Sequence, residues 1–135
     1  MCIRDSLFNK QERICRSLSD IEGLITVLGN KGTALLKLDM LDEAATCYKE
    51  QEELCVGMND QNHLQMCIGN QGNVFFDSEQ FDEAMDYYKK QFALCEELVN
   101  FEGMSQSIGN QGKVLFRLAR YDEAFEHYKL SLIHI

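Results

Sequence analysis

The sequence predicts an all-α fold, an α-solenoid of antiparallel helix pairs stacked one after another. A pattern recurs with a spacing of 40 residues, marked by the dipeptides Gly29-Asn30, Gly69-Asn70 and Gly109-Asn110, and a fixed period of this size is typical of a repeat array. Within each copy the apolar residues follow the three-and-four spacing of helices. The chain has no proline, which suits helices joined by tight turns.

The two ends of the chain do not follow the repeat. The chain opens on MCIRDS and closes on LSLIHI, and one DNA sequence, read on its two strands, can encode both hexapeptides. That DNA resembles the end sequence of transposase-based sequencing libraries. We therefore expect residues 1–6 and 130–135 to be translated adapter, and residues 7–129 to be an internal part of a longer protein.

Between these ends the pattern predicts seven helical segments. Residues 7–20 hold the second helix of a truncated repeat, from Leu7 to about Leu18. Two complete helix pairs follow at residues 21–60 and 61–100, and a shortened pair at 101–129. Their helices are expected at Ile21–Leu38, Leu41–Val56, Gln61–Asp77, Phe81–Val99, Phe101–Leu118 and Tyr121–Lys129. We refer to the first helix of each pair as the A helix and the second as the B helix.

The starts of the A helices and the interior of each pair have their own signals. Asp20, Asp60 and Asn100 precede the A helices at the period and are expected to act as N-caps. A glycine inside a helix costs about 1 kcal/mol relative to alanine, so the recurring glycines of the A helices need a packing reason. We expect them to let the B helix approach closely, with a tyrosine filling the space. These repeat-packing residues are Gly32, Gly72, Gly112, Ala44, Ala84, Ala124, Tyr48, Tyr88 and Tyr128.

Counted from Ile25, Gln65 and Ser105, each copy has Gly at its eighth position, a large apolar residue at the eleventh, Ala at the twentieth and Tyr at the twenty-fourth. This pattern resembles the tetratricopeptide repeat. The long period is similar to the subclass of kinesin light chain-like and nephrocystin-like arrays. The resemblance implies a right-handed superhelix whose A helices line a concave groove, and a protein–protein interaction scaffold that holds an extended peptide or a partner helix there.

Polar residues depart from the family pattern at two positions. They replace the usual Leu at the seventh position and the usual Ala at the twenty-seventh, and polar groups that are buried there must find partners. We expect the glutamines at these positions to hydrogen-bond across neighbouring helices; the alternative is that they are partly exposed. The residues concerned are Lys31, Gln71 and Gln111, then Gln51 and Gln91.

The resemblance also implies a peptide-binding site on the A helices. Asn30, Asn70 and Asn110 occupy the sixth position, where an amide can donate to and accept from a peptide backbone; the alternative is that they brace adjacent A helices. The neighbouring Gly29, Gly69 and Gly109 would let a ligand approach. The positions expected to flank the same groove are Thr33, Asn73, Lys113, Lys37, Asp77 and Arg117. The basic residues among these, and Lys31, would be solvated or, alternatively, would meet a peptide carboxylate.

Composition argues against several other functions. The net charge of −9 is unsuited to a non-specific nucleic-acid binder, and no apolar run is long enough to cross a bilayer. His63 and Cys67 have the spacing of a two-ligand metal pair, but no second pair completes a site. We therefore predict no metal, no cofactor and no enzymatic site in this chain.

Cysteine usage and the cut ends lead to the remaining predictions. Of the six cysteines, Cys15, Cys55 and Cys95 share the 40-residue period, which puts them too far apart for disulfides. Buried thiols favour a reducing, cytoplasmic compartment. The partner is predicted to be a protein or peptide, and apolar faces at the cut ends would allow self-association. An alternative function is the sensing or regulatory arm of a larger signalling NTPase or protease-like enzyme.

Overall fold

The computed structural model describes residues 3–118, 125, 126 and 129. This part of the chain contains six α-helices and no strand, which confirms the all-α solenoid. The helices are α1 (Ile3–Ser17), α2 (Ile21–Lys37), α3 (Leu41–Met58), α4 (Gln61–Asp77), α5 (Phe81–Glu97) and α6 (Phe101–Arg117). Most of the seventh predicted helix, and all of residues 130–135, lie outside the described residues. No helix of the described part is both long enough and apolar enough to cross a membrane.

The first helix begins earlier than expected. It starts at Ile3 instead of Leu7 and therefore includes part of the opening hexapeptide. A helix can continue through residues of any origin, so the assignment of residues 1–6 to adapter stays a prediction. The other helix ends differ from the predicted ones by two residues or fewer.

The predicted N-caps are confirmed. The side chains of Asp20, Asp60 and Asn100 accept hydrogen bonds from the backbone N–H three residues ahead, at 2.9, 3.1 and 3.0 Å, which satisfies one of the donors left unpaired at each helix start. The B helices α3 and α5 have no side-chain cap. Their first turns carry paired acids instead, whose charge suits the positive end of the helix dipole.

The turns between helices share one geometry. Five residues, spaced 20 apart, have φ between 53° and 61°, in the left-handed region: Ser19, Asp39, Asn59, Glu79 and Val99. In each turn the following N–H bonds back to a carbonyl of the last helical turn, as Met40 does to Leu35 at 2.9 Å. These turns reverse the chain in about three residues, so consecutive helices run antiparallel.

Inside each pair the predicted close packing is confirmed. A Cβ added at Gly32 would lie 2.7 Å from the Tyr48 ring, and one at Gly72 would lie 2.7 Å from the Tyr88 ring. Both tyrosines are almost fully buried, as are Ala44 and Ala84. The equivalents in the third pair, Ala124 and Tyr128, lie outside the described residues, and Gly112 is buried.

The A helices form the inner side of the stack. Helix α2 contacts α4 and α4 contacts α6, whereas no direct contact joins α1 to α3 or α3 to α5 in the described part of the chain. Since consecutive A helices are closer than consecutive B helices, the stack bends toward its A-helix side. We name the exposed surface of α2, α4 and α6 on this side the A-helix face.

Candidate functional site

Three asparagines recur in phase on the A helices. Asn30 is exposed on α2, and Asn70 and Asn110 are half-buried on α4 and α6. Their side-chain amides form no hydrogen bond with any other described residue. The alternative, that these amides brace adjacent A helices through hydrogen bonds, is therefore not seen. Each amide keeps a donor and an acceptor for another partner. We name these three residues the asparagine ladder.

Two of the expected groove residues hold the tyrosines in place. The Thr33 hydroxyl lies 2.9 Å from the Tyr48 hydroxyl, and Asn73 Oδ1 accepts from the Tyr88 hydroxyl at 2.6 Å. Burial raises the pKa of both tyrosines, which keeps their hydroxyls protonated and able to donate. Thr33 and Asn73 are half-buried, so their polar atoms serve the interior of the helix pair.

The other flanking residues are exposed charges near the C-terminal ends of the A helices. Arg117 lies 3.6 Å from Glu79 and over the rings of Phe76 and Phe81, at 5.5 and 5.3 Å from their centroids. Lys37, Asp77 and Lys113 form no ion pair with the described residues.

The acid of this group has a shifted pKa. Desolvation raises the pKa of Asp77, as does the nearby charge of Asp39, while Arg117 and Lys113 act in the opposite direction. Asp77 therefore lies within electrostatic range of charges in the turn after α2 and on α6. The C-terminal end of the A-helix face is thus a mixed-charge surface.

The polar residues at the seventh position pair with their neighbours. Lys31 and Gln71 reach the preceding B helix, whereas Gln111 bonds within its own helix. The bonds are Lys31 Nζ to Glu12 Oε1 at 3.0 Å, Gln71 Nε2 to Glu52 Oε1 at 3.3 Å, and Gln111 Nε2 to Ser107 Oγ at 3.2 Å. The predicted hydrogen bonding across helices is confirmed for Gln71 but not for Gln111. The expectation for Lys31, a solvated charge or a contact for a peptide carboxylate, is wrong because its charge is paired inside the array.

The glutamines at the twenty-seventh position also confirm the prediction. Gln51 Nε2 donates to the carbonyl of Ile25 at 3.0 Å, and Gln91 Nε2 donates to Gln65 Oε1 at 3.1 Å. Both glutamines are buried, 4% and 3% exposed.

Gly29 and Gly69, two of the three glycines beside the ladder, have a different role from the expected one. A Cβ at Gly29 would lie 2.5 Å from Gln51 Nε2, and one at Gly69 would lie 2.6 Å from Gln91 Oε1. These two glycines therefore make room for a glutamine of the B helix, and the idea that they admit a ligand is wrong.

The residues of the rejected metal pair are engaged elsewhere. His63 Nδ1 lies 2.7 Å from Asp60 Oδ2, and Cys67 Sγ donates to the carbonyl of Tyr48 at 3.0 Å. Burial, with the charge of Glu52, raises the pKa of Cys67 to about 12, so the thiol stays protonated. The cysteines of the described residues are free thiols. No group of three or more potential ligands in this part of the chain could hold a metal ion.

These features define a class of protein: a helical-repeat solenoid with a polar inner face. Residues 67–97 match the family model of the tetratricopeptide repeat. The crystal structure of the tetratricopeptide-repeat domain of Arabidopsis FLU has the same fold, with a TM-score of 0.75 at 16% identity, over 84% of this chain and 96% of that one. No curated protein matches the sequence. The chain therefore contains a segment that matches the tetratricopeptide repeat, and its described part has the fold of a tetratricopeptide-repeat domain. Its place in the long-period subclass stays a prediction.

Proposed function

We propose that the chain is a protein-interaction scaffold whose A-helix face binds an extended peptide or a partner helix. The observation that carries the proposal is the asparagine ladder. Its three amides recur at the 40-residue period on helices α2, α4 and α6 and bond to no other described residue. An extended backbone presents donors and acceptors at regular intervals, which a row of amides can satisfy without reading the sequence.

Neither helix formation nor packing explains why asparagine occupies these three positions. Asparagine is a poor helix former, and Asp, Asn and Ser compete with the backbone for hydrogen bonds. Within the array, the neighbouring polar positions are used for packing: Gln51, Gln91, Thr33 and Asn73 all bond to side-chain or backbone groups of the partner helix. The ladder residues have no such use among the described residues, which supports a ligand-binding role.

The charges near the ladder favour a partner of mixed charge. Lys37 and Lys113 are unpaired cations, and Asp77 is an acid without an ion pair among the described residues. Exposed charges of this kind contribute more to association rate and orientation than to affinity. We expect binding to weaken moderately as the salt concentration rises, without being abolished.

Alanine substitution of the ladder tests the proposal. Peptides are first selected from a random phage-displayed library on the wild-type chain, and the dissociation constants of the resynthesised peptides are then measured by fluorescence anisotropy. Each of Asn30→Ala, Asn70→Ala and Asn110→Ala should weaken binding by roughly 2- to 10-fold, since a hydrogen bond contributes about 0.5–1.5 kcal/mol. The triple variant should weaken it further.

The chain offers a matched control at the same period on the B helices. Thr46, Asp86 and Glu126 are exposed, and changing all three to Ala should leave the affinity within about twofold. Equal losses in both triple variants would contradict the proposal, as would a selection that yields no binding peptide.

The binding proposal does not depend on what the parent protein is. If the array is the regulatory arm of a signalling NTPase or protease-like enzyme, the same face would hold the regulating partner. Sequencing of the flanking DNA decides between a scaffold and such an arm, because an upstream nucleotide-binding motif or catalytic dyad would favour the arm.

A further inference from the structure

A pocket of about 280 Å³ opens between α4 and α6, near the N-terminal ends of both helices. Its lining includes Met66 on α4 and Gln106 on α6. These two residues lie four positions before Asn70 and Asn110, so the pocket and the ladder share one face of each helix. A peptide held along the ladder could therefore reach the pocket with a side chain.

The floor of the pocket is a buried amide with one free end. Gln65 lines the pocket and is 4% exposed. Its Oε1 accepts from Gln91 Nε2 and from Cys95 Sγ, both at 3.1 Å. Because both partners donate, the oxygen is directed into the helix pair, and Gln65 Nε2 is left without a hydrogen bond among the described residues. Gln65 Nε2 is not among the fully buried atoms that lack a partner, so it can be reached from the pocket, and a ligand can supply its acceptor.

This amide is specific to one junction of the array. The position of Gln65 is occupied by Ile25 in the first repeat and by Ser105 in the third. In the first repeat, Gln51 donates to the backbone carbonyl of Ile25 instead of to a side chain. The unpaired donor at the pocket floor is therefore not part of the repeat pattern and is not needed to build a helix pair.

The other residues that line the pocket favour a neutral carboxamide over a carboxylate. The Asn62 and Gln106 amides are exposed and form no hydrogen bond with the described residues. Glu102 is the charged residue of the lining and would repel a carboxylate. A neutral carboxamide avoids that repulsion: its oxygen accepts from Gln65 Nε2, and its NH₂ group suits the amide oxygens and the carboxylate around it. Met66 offers apolar contact for the methylene groups next to the carboxamide.

We propose that this pocket, which we name the carboxamide pocket, binds a glutamine or asparagine side chain of the peptide held along the A-helix face. The proposal rests on the proposed function and adds a sequence preference to it. The asparagine ladder holds the peptide backbone, and the carboxamide pocket reads one side chain between the second and third repeats.

The test uses the peptides selected on the wild-type chain. Each Asn or Gln of a peptide is replaced in turn by Asp or Glu, and dissociation constants are measured for the wild type, for Gln65→Ile and for Gln106→Ala. Isoleucine is the residue of the first repeat at this position. In the wild type, one such replacement should weaken binding about tenfold or more, because it places a carboxylate beside Glu102 and removes the NH₂ donor of the ligand. In Gln65→Ile the peptide side chain has lost its hydrogen-bond donor and is no longer held in the pocket beside Glu102, so the same replacement should cost less than about twofold.

A second variant, Gln106→Ala, tests the proposal even if Gln65→Ile does not fold. Gln65→Ile removes the acceptor of Gln91 and Cys95, so its helical content is compared with the wild type by circular dichroism. Gln106→Ala leaves those bonds intact and should lower the discrimination by about threefold even if Gln65→Ile does not fold.

The outcomes separate the two proposals. If peptides bind and depend on the ladder, but no carboxamide matters, or discrimination is unchanged in both variants, the carboxamide pocket is wrong and the proposed function stands. If no peptide is selected, or binding is indifferent to the ladder triple variant, both proposals are wrong.

Discussion

The interior of a helix pair and the junction between pairs follow different rules in this array. The glycine–tyrosine packing of the interior repeats: a Cβ added at Gly32 would lie 2.7 Å from the Tyr48 ring, and one added at Gly72 would lie 2.7 Å from the Tyr88 ring. The junction repeats only in its backbone. Positions that face the preceding B helix vary between copies, as where Lys31 stands in the first repeat and Gln71 in the second.

The junctions show how different residues can serve one backbone arrangement. Cys67 Sγ donates to the carbonyl of Tyr48, and Ser107 Oγ, at the equivalent position, donates to the carbonyl of Tyr88. Val27 holds the same position in the first repeat and has no donor to offer. The first junction uses ions instead, with Glu12 joined to Lys31 and to Arg16. Close packing against the tyrosine ring thus requires glycine in both pairs, whereas the polar contacts of the junction are made by different residues in each copy.

The largest effect is expected from filling the interior. In Gly72→Val the new side chain would overlap the Tyr88 ring, which is buried. We therefore expect a loss of about 2 kcal/mol in the free energy of unfolding, within the range for an overpacked core. Urea denaturation followed by circular dichroism measures it.

Another glycine supplies the matched control. Gly57 has no atom within 4 Å of an added Cβ, so Gly57→Val should change stability by less than about 0.5 kcal/mol. Adding Tyr88→Leu to Gly72→Val should recover part of the loss, since the two sites are in contact. Equal effects at Gly72 and Gly57 would refute the claim that the interior is sterically strict.

A smaller effect is expected from the charged junction. Glu12→Gln weakens the bonds to Lys31 and Arg16, whose exposure is partial, and should cost about 1 kcal/mol at pH 7. Desolvation acts to raise the pKa of Glu12, but hydrogen bonds and charges from Lys31 and Arg16 outweigh it and lower the pKa. The contribution is therefore present above the ordinary range of a glutamate and is lost as the pH falls through the lowered value.

Unfolding free energies at pH 7 and near pH 3 check this sign. The difference between wild type and Glu12→Gln should shrink at the lower pH. Glu53→Gln, which alters an exposed acid of α3 without an ion pair among the described residues, is the control and should show no such change. A difference that stays constant with pH would contradict the ionic account of the junction.

The smallest effect is expected in the turns. Val99 adopts a left-handed φ of 54°, which is unfavourable for a β-branched residue, and Asn59 adopts the same φ with less strain. Val99→Gly should stabilise the chain by about 0.5–1 kcal/mol, after allowance for the greater freedom of glycine in the unfolded state. Asn59→Gly should change stability by only a few tenths of a kcal/mol. Thermal midpoints compare the two, and a gain no larger for Val99→Gly than for Asn59→Gly would remove the strain argument.

Features set by local spacing could be predicted from the sequence. The helices, the N-caps at Asp20, Asp60 and Asn100, and the contact of Gly32 with Tyr48 all follow from residues that repeat in phase. The sequence predicts that the buried glutamines form hydrogen bonds, because a buried amide needs a partner. It does not predict which atoms are the partners, since these depend on which atoms of the facing helix come within reach.

Three features had no readable signal. The Lys31–Glu12 pair joins residues of two repeats, and pattern alone does not say which B-helix residue faces the seventh position. Gly29 stands next to Asn30 in sequence, but one residue is a rotation of about 100° around a helix, so the two face different neighbours. The left-handed turns contain no glycine, which is the usual marker of that conformation.

The central claim, that the A-helix face is the binding surface, is tested most directly by side-chain amide resonances in an NMR titration with a selected peptide. The NH₂ signals of Asn30, Asn70 and Asn110 should shift in a saturable manner, while that of the buried Gln51, which is bonded to Ile25, should stay in place. Shifts confined to B-helix residues such as Thr46 and Asp86, with the three asparagine signals unmoved, would contradict the account.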